Sequence, residues 1–300
     1  MPKSVMNFKQ ETIKINEKTG IKLFSKGSGE PQVLLTAGLH GNEISGITVV
    51  LKAFRDIEPT KGTLTLIPAV NKLGIEKGSR NNPQDNKDLN RIFKESSSSP
   101  SKKIMERLVS LATKYDAVID FHNFFGAGYT TAFQFKTGNE ALDTGTADLI
   151  KAFSPEVVRQ KNNANFRDGF VQELLRREIK SFVVELPQQK VITNKEIENV
   201  STGIRNVLAT LGMLNETTLT KKPVIVETNG VKHKTAGVFS PVVKLGQLVR
   251  KGEKVGTITN LETLKQEEIT APVEGTVQTN PKIKYVRENE PLMSIGKKIG

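Results

Sequence analysis

Four short apolar runs divide the first two thirds of the chain: "VLLTA" at 33–37, "LTLIPAV" at 64–70, "AVIDF" at 117–121 and "FVVEL" at 182–186. Runs that are continuous rather than alternating predict strands covered on both faces, as in a largely parallel sheet. Between them "EISGITVVLKAF" at 43–54, "SKKIMERLVSLATKY" at 101–115 and "NKEIENVSTGIRNVLATLG" at 194–212 predict helices, the last with Asn194 as its N-cap. Strand and helix in alternation predict an α/β architecture, a mixed, largely parallel sheet flanked by helices.

Two stretches break the rhythm, "SRNNPQDNKDLNR" at 79–91 and "SSSSPS" at 96–101. Both are polar enough to be read as loops, the second as a flexible connection. Beyond about residue 215 short β-prone pieces punctuated by Gly and Pro take over, as in "GVFSPVVKLGQLVRKGEKVGTITN" and "ITAPVEGTVQTN". The expected division is therefore residues 1–215 as an α/β unit and 216–300 as a small all-β barrel or sandwich.

Composition narrows the chemistry. The 300 residues, 36% hydrophobic and 25% charged, suit a globular chain with a full core. No run approaches the ~20 apolar residues of a membrane span, and the N-terminus lacks a signal-like apolar core, so the expectation is a cytoplasmic protein with no membrane partner. Cysteine is absent, which leaves only nitrogen and oxygen as metal ligands. A net charge of +12 raises nucleic acid as a partner, but the basic residues are scattered and the chain has no Trp and three Tyr. No stacking platform for bases is present in the pattern, and attraction of small anions accounts for the charge equally well.

The chemistry gathers where predicted strands end. In "LLTAGLHGNE" the strand closes near Gly38 and a helix opens near Glu43, so His40 and Glu43 fall on the connecting turn, the edge where open sheets build sites. Glycines 38 and 41 allow the sharp turn that converges the two side chains. A lone His–Glu pair is more often structural, but His122 follows "AVIDF" and emerges on the same edge. Two imidazoles and a carboxylate with one position open match hydrolytic zinc sites, so one zinc ion on His40, Glu43 and His122 is expected. Asp120, on the opposite face from Phe121, either orients an imidazole or ends the strand in solvent.

Glu185 closes the fourth apolar run, an expensive place for a carboxylate without a partner or a task, and is read as general base and acid. Arg80, Asn90 and Arg91 in the Asn-rich loop offer donors to a substrate carboxylate or an oxyanion, against the alternative of a hydrated surface loop. His233, between two lysines, reads as a solvated loop residue.

"HGNE", "DLNR", "DFHN" and "VVELPQ", in that order, resemble the zinc carboxypeptidase superfamily, specifically its succinylglutamate desuccinylase and aspartoacylase branch. The resemblance implies His40, Glu43 and His122 on zinc, Glu185 as base and acid, Asn90 and Arg91 on substrate, and a C-terminal β domain narrowing the cleft. It also implies an arginine ahead of "DLNR" that polarises the carbonyl. Arg80 is the candidate, at a longer separation than the family's short form, and Arg167 in "NFRDGF" is an alternative anion contact. The tail is similar to lipoyl- and biotinyl-like hammerhead domains in "SPVVKLGQLVRKGEKVG" and "APVEGTV", without a lysine between methionines, so a carrier role is not expected. The expected activity is zinc-dependent hydrolysis of the amide of an N-acyl amino acid or similar small anionic amide. The rivals are a zinc carboxypeptidase acting on peptides and a non-catalytic, zinc-stabilised binding protein.

Overall fold

The computed structural model describes residues 8–15, 20–96, 98–124, 129–161, 168–187, 191–215, 222–279 and 281–299. Its N-terminal strands are β1 (Lys9–Lys14), β2 (Gly20–Ser28), β3 (Gln32–Ala37), β4 (Gly62–Ile67), β5 (Ala117–Phe124), β6 (Thr131–Phe135), β7 (Val157–Lys161) and β8 (Lys180–Pro187). Helices α1 (Ile44–Arg55), α2 (Lys72–Lys77), α3 (Pro100–Ala112), α4 (Glu140–Phe153), α5 (Phe170–Leu175) and α6 (Asn194–Thr210) pack around them. The tail contributes β9 (Val224–Gly230), β10 (Gly237–Pro241), β11 (Leu248–Val249), β12 (Lys254–Thr259), β13 (Gln266–Thr270), β14 (Gly275–Val277), β15 (Lys284–Val286) and β16 (Ser294–Lys298).

One sheet runs β1-β2-β4-β3-β5-β8-β6-β7-β9-β16-β14-β11. The strands foreseen from apolar runs, β4, β3, β5 and β8, are its parallel centre. The sheet is mixed, as expected, but parallel pairing is confined to its middle: β6 runs against β8, and both ends of the sheet are antiparallel. The central runs are continuous because both faces are buried. Val33, Leu35, Ile119 and Phe121 turn to one side with Val50, Ile204 and Val207, while Leu34 and Val118 turn to the other with Leu108 and Phe170.

Strand pairing does not stop at residue 215. β9 pairs in parallel with β7, Val157 opposite Val224, and β16 then pairs with β9. The tail thus extends the main sheet as well as forming a second sheet, β13-β12-β10-β15, around its own cluster of Phe239, Val255, Ile258 and Val286.

Several local readings are revised. α6 is capped by Thr193, not Asn194: the Thr193 side chain accepts from Glu196 N while Glu196 reaches back to Thr193 N, a reciprocal capping box. The serine run ends in structure, since Ser99 caps α3 with Pro100 at its first turn. Nor is the Asn-rich loop simply hydrated. Asn82 and Leu89 are fully buried, and Asp85 accepts from both the backbone and the hydroxyl of Ser101, so the loop meets its polar needs internally.

Candidate metal centre

β3 ends at Ala37, and Gly38 follows at φ +72°, a left-handed turn that an L side chain resists. Gly41 is needed for a different reason: a Cβ there would stand 2.0 Å from the backbone carbon of Gly74, because the turn lies directly against α2. The chain therefore rises from β3, presents His40 and re-enters α1 within a few residues. Glu43 occupies the N-cap of α1 yet makes no side-chain cap there. Its carboxylate is turned to the two imidazoles instead, giving up the helix contact for the site.

His40 Nδ1 lies 2.8 Å from Glu43 Oε1, His122 Nδ1 lies 3.0 Å from Glu43 Oε2, and the two Nδ1 atoms are 3.1 Å apart. All three side chains are buried. The outward nitrogens are held by carboxylates: His40 Nε2 is 3.0 Å from Asp88 Oδ1, and His122 Nε2 is 2.8 Å from Asp120 Oδ2. Asp120 is itself fixed by the Thr36 hydroxyl, which donates to Oδ1 at 2.6 Å. It is completely buried, so of its two readings the imidazole-orienting geometry is the one observed.

The donor set fits a cation. With each Nε2–H directed to a carboxylate, both Nδ1 atoms turn lone pairs inward alongside an anionic carboxylate, an arrangement that repels itself unless a positive charge sits between. Donors bound tetrahedrally to a small ion at 2.0–2.1 Å stand roughly 3.3 Å from one another. The observed separations are close to that, and the three residues form a group able to hold a metal ion. The electrostatics agree. Burial pushes the Glu43 carboxyl up, but hydrogen bonds with His122 and His40 outweigh it and hold it well below the carboxylate range. Asp88 is likewise raised by burial and brought far lower by His40, Arg80 and the Asn90 amide. Burial opposes charge on His122, yet Asp120 and Glu43 raise it well above an ordinary imidazole, so a proton occupies the centre when a cation does not.

Glu185 stands beside this group, because β5 and β8 pair in parallel with His122 opposite Glu185. Burial pushes its carboxyl up, opposed by His122. Its Oε2 is buried without a hydrogen-bond partner among the described residues.

Arg80 reaches the same rim: Nε and Nη2 donate to Asp88 Oδ2 at 3.2 and 3.0 Å, and Nη1 lies 3.4 Å from Glu43 Oε1. Asn90 and Arg91 are placed next to the rim but turned to the start of α5. Asn90 Oδ1 accepts from Phe170 N at 2.7 Å, and the exposed Arg91 donates from Nη1 to the carbonyls of Asn90 and Asp168. Arg167 lies outside the described residues. His233 is not solvated. It is buried, with Nδ1 on the Thr235 carbonyl and Nε2 on that of Glu290, because the loop that carries it folds back onto the tail.

Two residues of the site carried no role in the sequence reading although they sit in its motifs. Asp88, in "DLNR", bridges His40 and Arg80. Asn123, in "DFHN", donates its backbone N–H to Glu43 Oε2 at 3.0 Å, accepts from Gly46 N at 2.7 Å and donates to the Leu186 carbonyl, locking the start of α1 to the end of β8. A polar residue directly after a buried histidine was the available signal.

Fold and site together define a mixed α/β protein with a buried His–Glu–His group at the C-terminal rim of its parallel strands. Residues 29–211 match the model of the succinylglutamate desuccinylase/aspartoacylase catalytic domain, and the chain belongs to that family. A solved succinylglutamate desuccinylase/aspartoacylase from Rhodobacter sphaeroides superposes with TM-score 0.81 at 23% identity, covering 98% of this chain and 95% of that one. The product-bound ectoine utilization protein EutE (DoeB) from Ruegeria pomeroyi gives TM-score 0.79 at 21% identity over 93% and 89%. Among curated proteins, the N-alpha-acetyl-L-2,4-diaminobutyric acid deacetylase of Halomonas elongata is 30% identical over 110 residues, 34% of this chain and 31% of that protein. The matched stretch thus spans about a third of that relative's length.

Proposed function

We propose that this chain is a zinc-dependent hydrolase of the amide bond in a small anionic N-acyl amino acid. The observation that carries the proposal is the convergence of His40, Glu43 and His122 beside Glu185, whose Oε2 is buried and has no partner among the described residues. The family, and the deacetylase activity named for the Halomonas relative, support an acyl amino acid as the substrate class. Zinc held by these three residues would polarise the amide carbonyl and make water acidic enough to deprotonate near neutral pH.

The residues divide the remaining work. Glu185 takes the proton of the attacking water and returns it to the departing amine, a cycle suited to a carboxyl whose pKa burial has raised. Arg80, already at the rim on Asp88, donates to the carbonyl oxygen as negative charge grows there. Asn90 and Arg91 hold a substrate carboxylate, Arg91 exchanging its backbone carbonyl contacts for a charged partner. Asp120 and Asp88 keep the imidazoles in the metal-binding tautomer. The C-terminal residues, taken as a second domain, narrow the approach to small substrates, and the working compartment is the cytoplasm.

The direct test is metal analysis of the purified protein followed by a screen of acetyl, succinyl and other acyl amino acids. Stoichiometric zinc with hydrolysis of at least one such amide is expected. Bound zinc with no turnover of any member would favour a binding protein, and comparable cleavage of long peptides would favour a carboxypeptidase.

A further inference from the structure

On the metal-facing side of the sheet, away from Arg80 and Arg91, β7 sends Arg159 toward the centre. Arg159 is 4% exposed, and no carboxylate lies within ion-pair distance of it among the described residues. Its one hydrogen bond among them is Nη2 to the carbonyl of Gln278 at 2.9 Å, and its Nε has no partner. Burying a guanidinium is costly unless it is paired, and here burial pushes its pKa down against the opposing influence of Tyr129 and Glu185. An unpaired buried cation of this kind calls for an anion.

The register shows where the guanidinium lies. Thr131 sits opposite both Glu185 and Val157, and Phe133 opposite both Val183 and Arg159, so Glu185, Thr131, Phe133 and Arg159 share one face. With β6 between them and a two-residue offset, the Cα atoms of Arg159 and Glu185 are about 12 Å apart by ordinary strand spacings. The Arg159 guanidinium carbon is nevertheless 5.6 Å from the Phe133 ring and 5.5 Å from that of Phe124, which stands on β5 two residues beyond His122. With β8 and β6 lying between β5 and β7, the Arg159 and Phe124 side chains reach towards each other over those two strands, on the face that carries Glu185 and Thr131. The two rings flank the guanidinium and restrict its position.

The neighbouring polar atoms are unsatisfied too. Tyr129 Oη and Thr131 Oγ1, like Glu185 Oε2, are buried without partners among the described residues. Burial raises the Tyr129 phenol, which keeps it protonated and able to donate. A cavity of about 470 Å³ along β7, β9 and the tail strands is bordered by Tyr129 and by Gln278, the carbonyl partner of Arg159.

We propose that Arg159 is an anion-binding residue that receives a carboxylate of the substrate beside Glu185, with Tyr129 Oη as a second donor. This rests on the amide-hydrolase reading of the metal centre, and it adds a cationic pole on the side opposite Arg80. A substrate held there is anchored at its carboxylate while its amide faces Glu185 and the metal ligands. Amides lacking that carboxylate leave a buried charge unpaired and are rejected.

The test is calorimetric titration of the zinc-loaded protein with succinate, alongside kinetics on the best acyl amino acid and its neutral carboxamide. Arg159→Gln and Tyr129→Phe are compared with wild type after melting temperatures confirm folding. The expected result is a loss of succinate affinity of about 10- to 100-fold in R159Q and a smaller loss in Y129F. KM should rise for the carboxylate substrate and not for its carboxamide. Arg159→Lys, which keeps the charge and the fold, should retain part of the affinity. Equal losses on charged and neutral substrates, or unchanged succinate binding in Y129F and in whichever Arg159 variant folds, would overturn the proposal. If no amide is hydrolysed yet succinate binding depends on Arg159, the hydrolase reading fails and the anion site stands.

Discussion

Asp120 and His122 are two residues apart on β5 and share a face, so the carboxylate meets Nε2 at 2.8 Å and leaves Nδ1 as the nitrogen directed at the metal centre. Period-two geometry makes this contact nearly obligatory: on a strand, i and i+2 are the nearest same-side neighbours. The contact that orients the imidazole is thereby made within one strand, and Thr36 on the neighbouring β3 fixes the carboxylate that makes it.

Loss of that orientation should be felt at the metal. Asp120→Asn keeps the size and the contact with Thr36 but weakens the hold on the imidazole N–H, and zinc affinity is expected to fall about 10- to 100-fold. Competition against a chromophoric chelator measures it, and an unchanged affinity would remove Asp120 from the site.

Metal uptake should release protons. His122 is raised well above an ordinary imidazole by Asp120 and Glu43, so the metal-free centre carries a proton that a cation must displace. Zinc affinity should therefore climb as pH rises toward the pKa of the metal-free His122. Calorimetry at one pH in buffers of different ionisation enthalpy should show heats that scale with the buffer. Buffer-independent heats would contradict a protonated His122.

The metal-free protein should also be acid-labile. Glu43 and Asp88 have folded pKa values below their unfolded ones, so their stabilisation is complete above about pH 4.5 and is lost as pH falls through the folded values. The His122 contribution has the opposite sign, present at low pH and lost as pH rises through its raised folded pKa. Urea midpoints of the apo protein should drop between pH 5 and 3, with Glu43→Gln flattening the dependence.

Glu185→Gln preserves shape and removes the proton acceptor. Zinc content should stay stoichiometric while turnover falls by a factor of about 10² to 10⁴. Retained activity would exclude Glu185 as base.

Gly41→Ala tests the turn. The added methyl meets the Gly74 backbone at 2.0 Å, where no flexible side chain can give way, and a destabilisation of about 1–3 kcal/mol in chemical denaturation is expected, with weakened zinc binding because His40 is the preceding residue.

What could be read from the chain alone was local. β3, β5 and β8 declare themselves because strands buried on both faces need unbroken apolar runs. β6, β7 and α4, whose composition is mixed, do not. The same holds for the site. His40, Glu43, His122 and Glu185 stand at or beside the ends of legible strands, whereas Asp88 sits in a polar loop whose fold-back onto His40 no periodicity announces.

By itself the sequence determined the parallel centre, the strand-end placement of His40 and His122 and the absence of cysteine ligands, since these follow from hydrophobic periodicity and composition. Only the tertiary structure decided that β6 runs against β8, that the tail continues the main sheet, that His233 is buried between carbonyls and that the Arg159 guanidinium lies between the rings of Phe133 and Phe124. Apolar burial acts along the chain at short range and leaves a pattern there, whereas pairings between distant strands, and the partners of buried polar groups, depend on which surfaces meet once the chain has closed on itself.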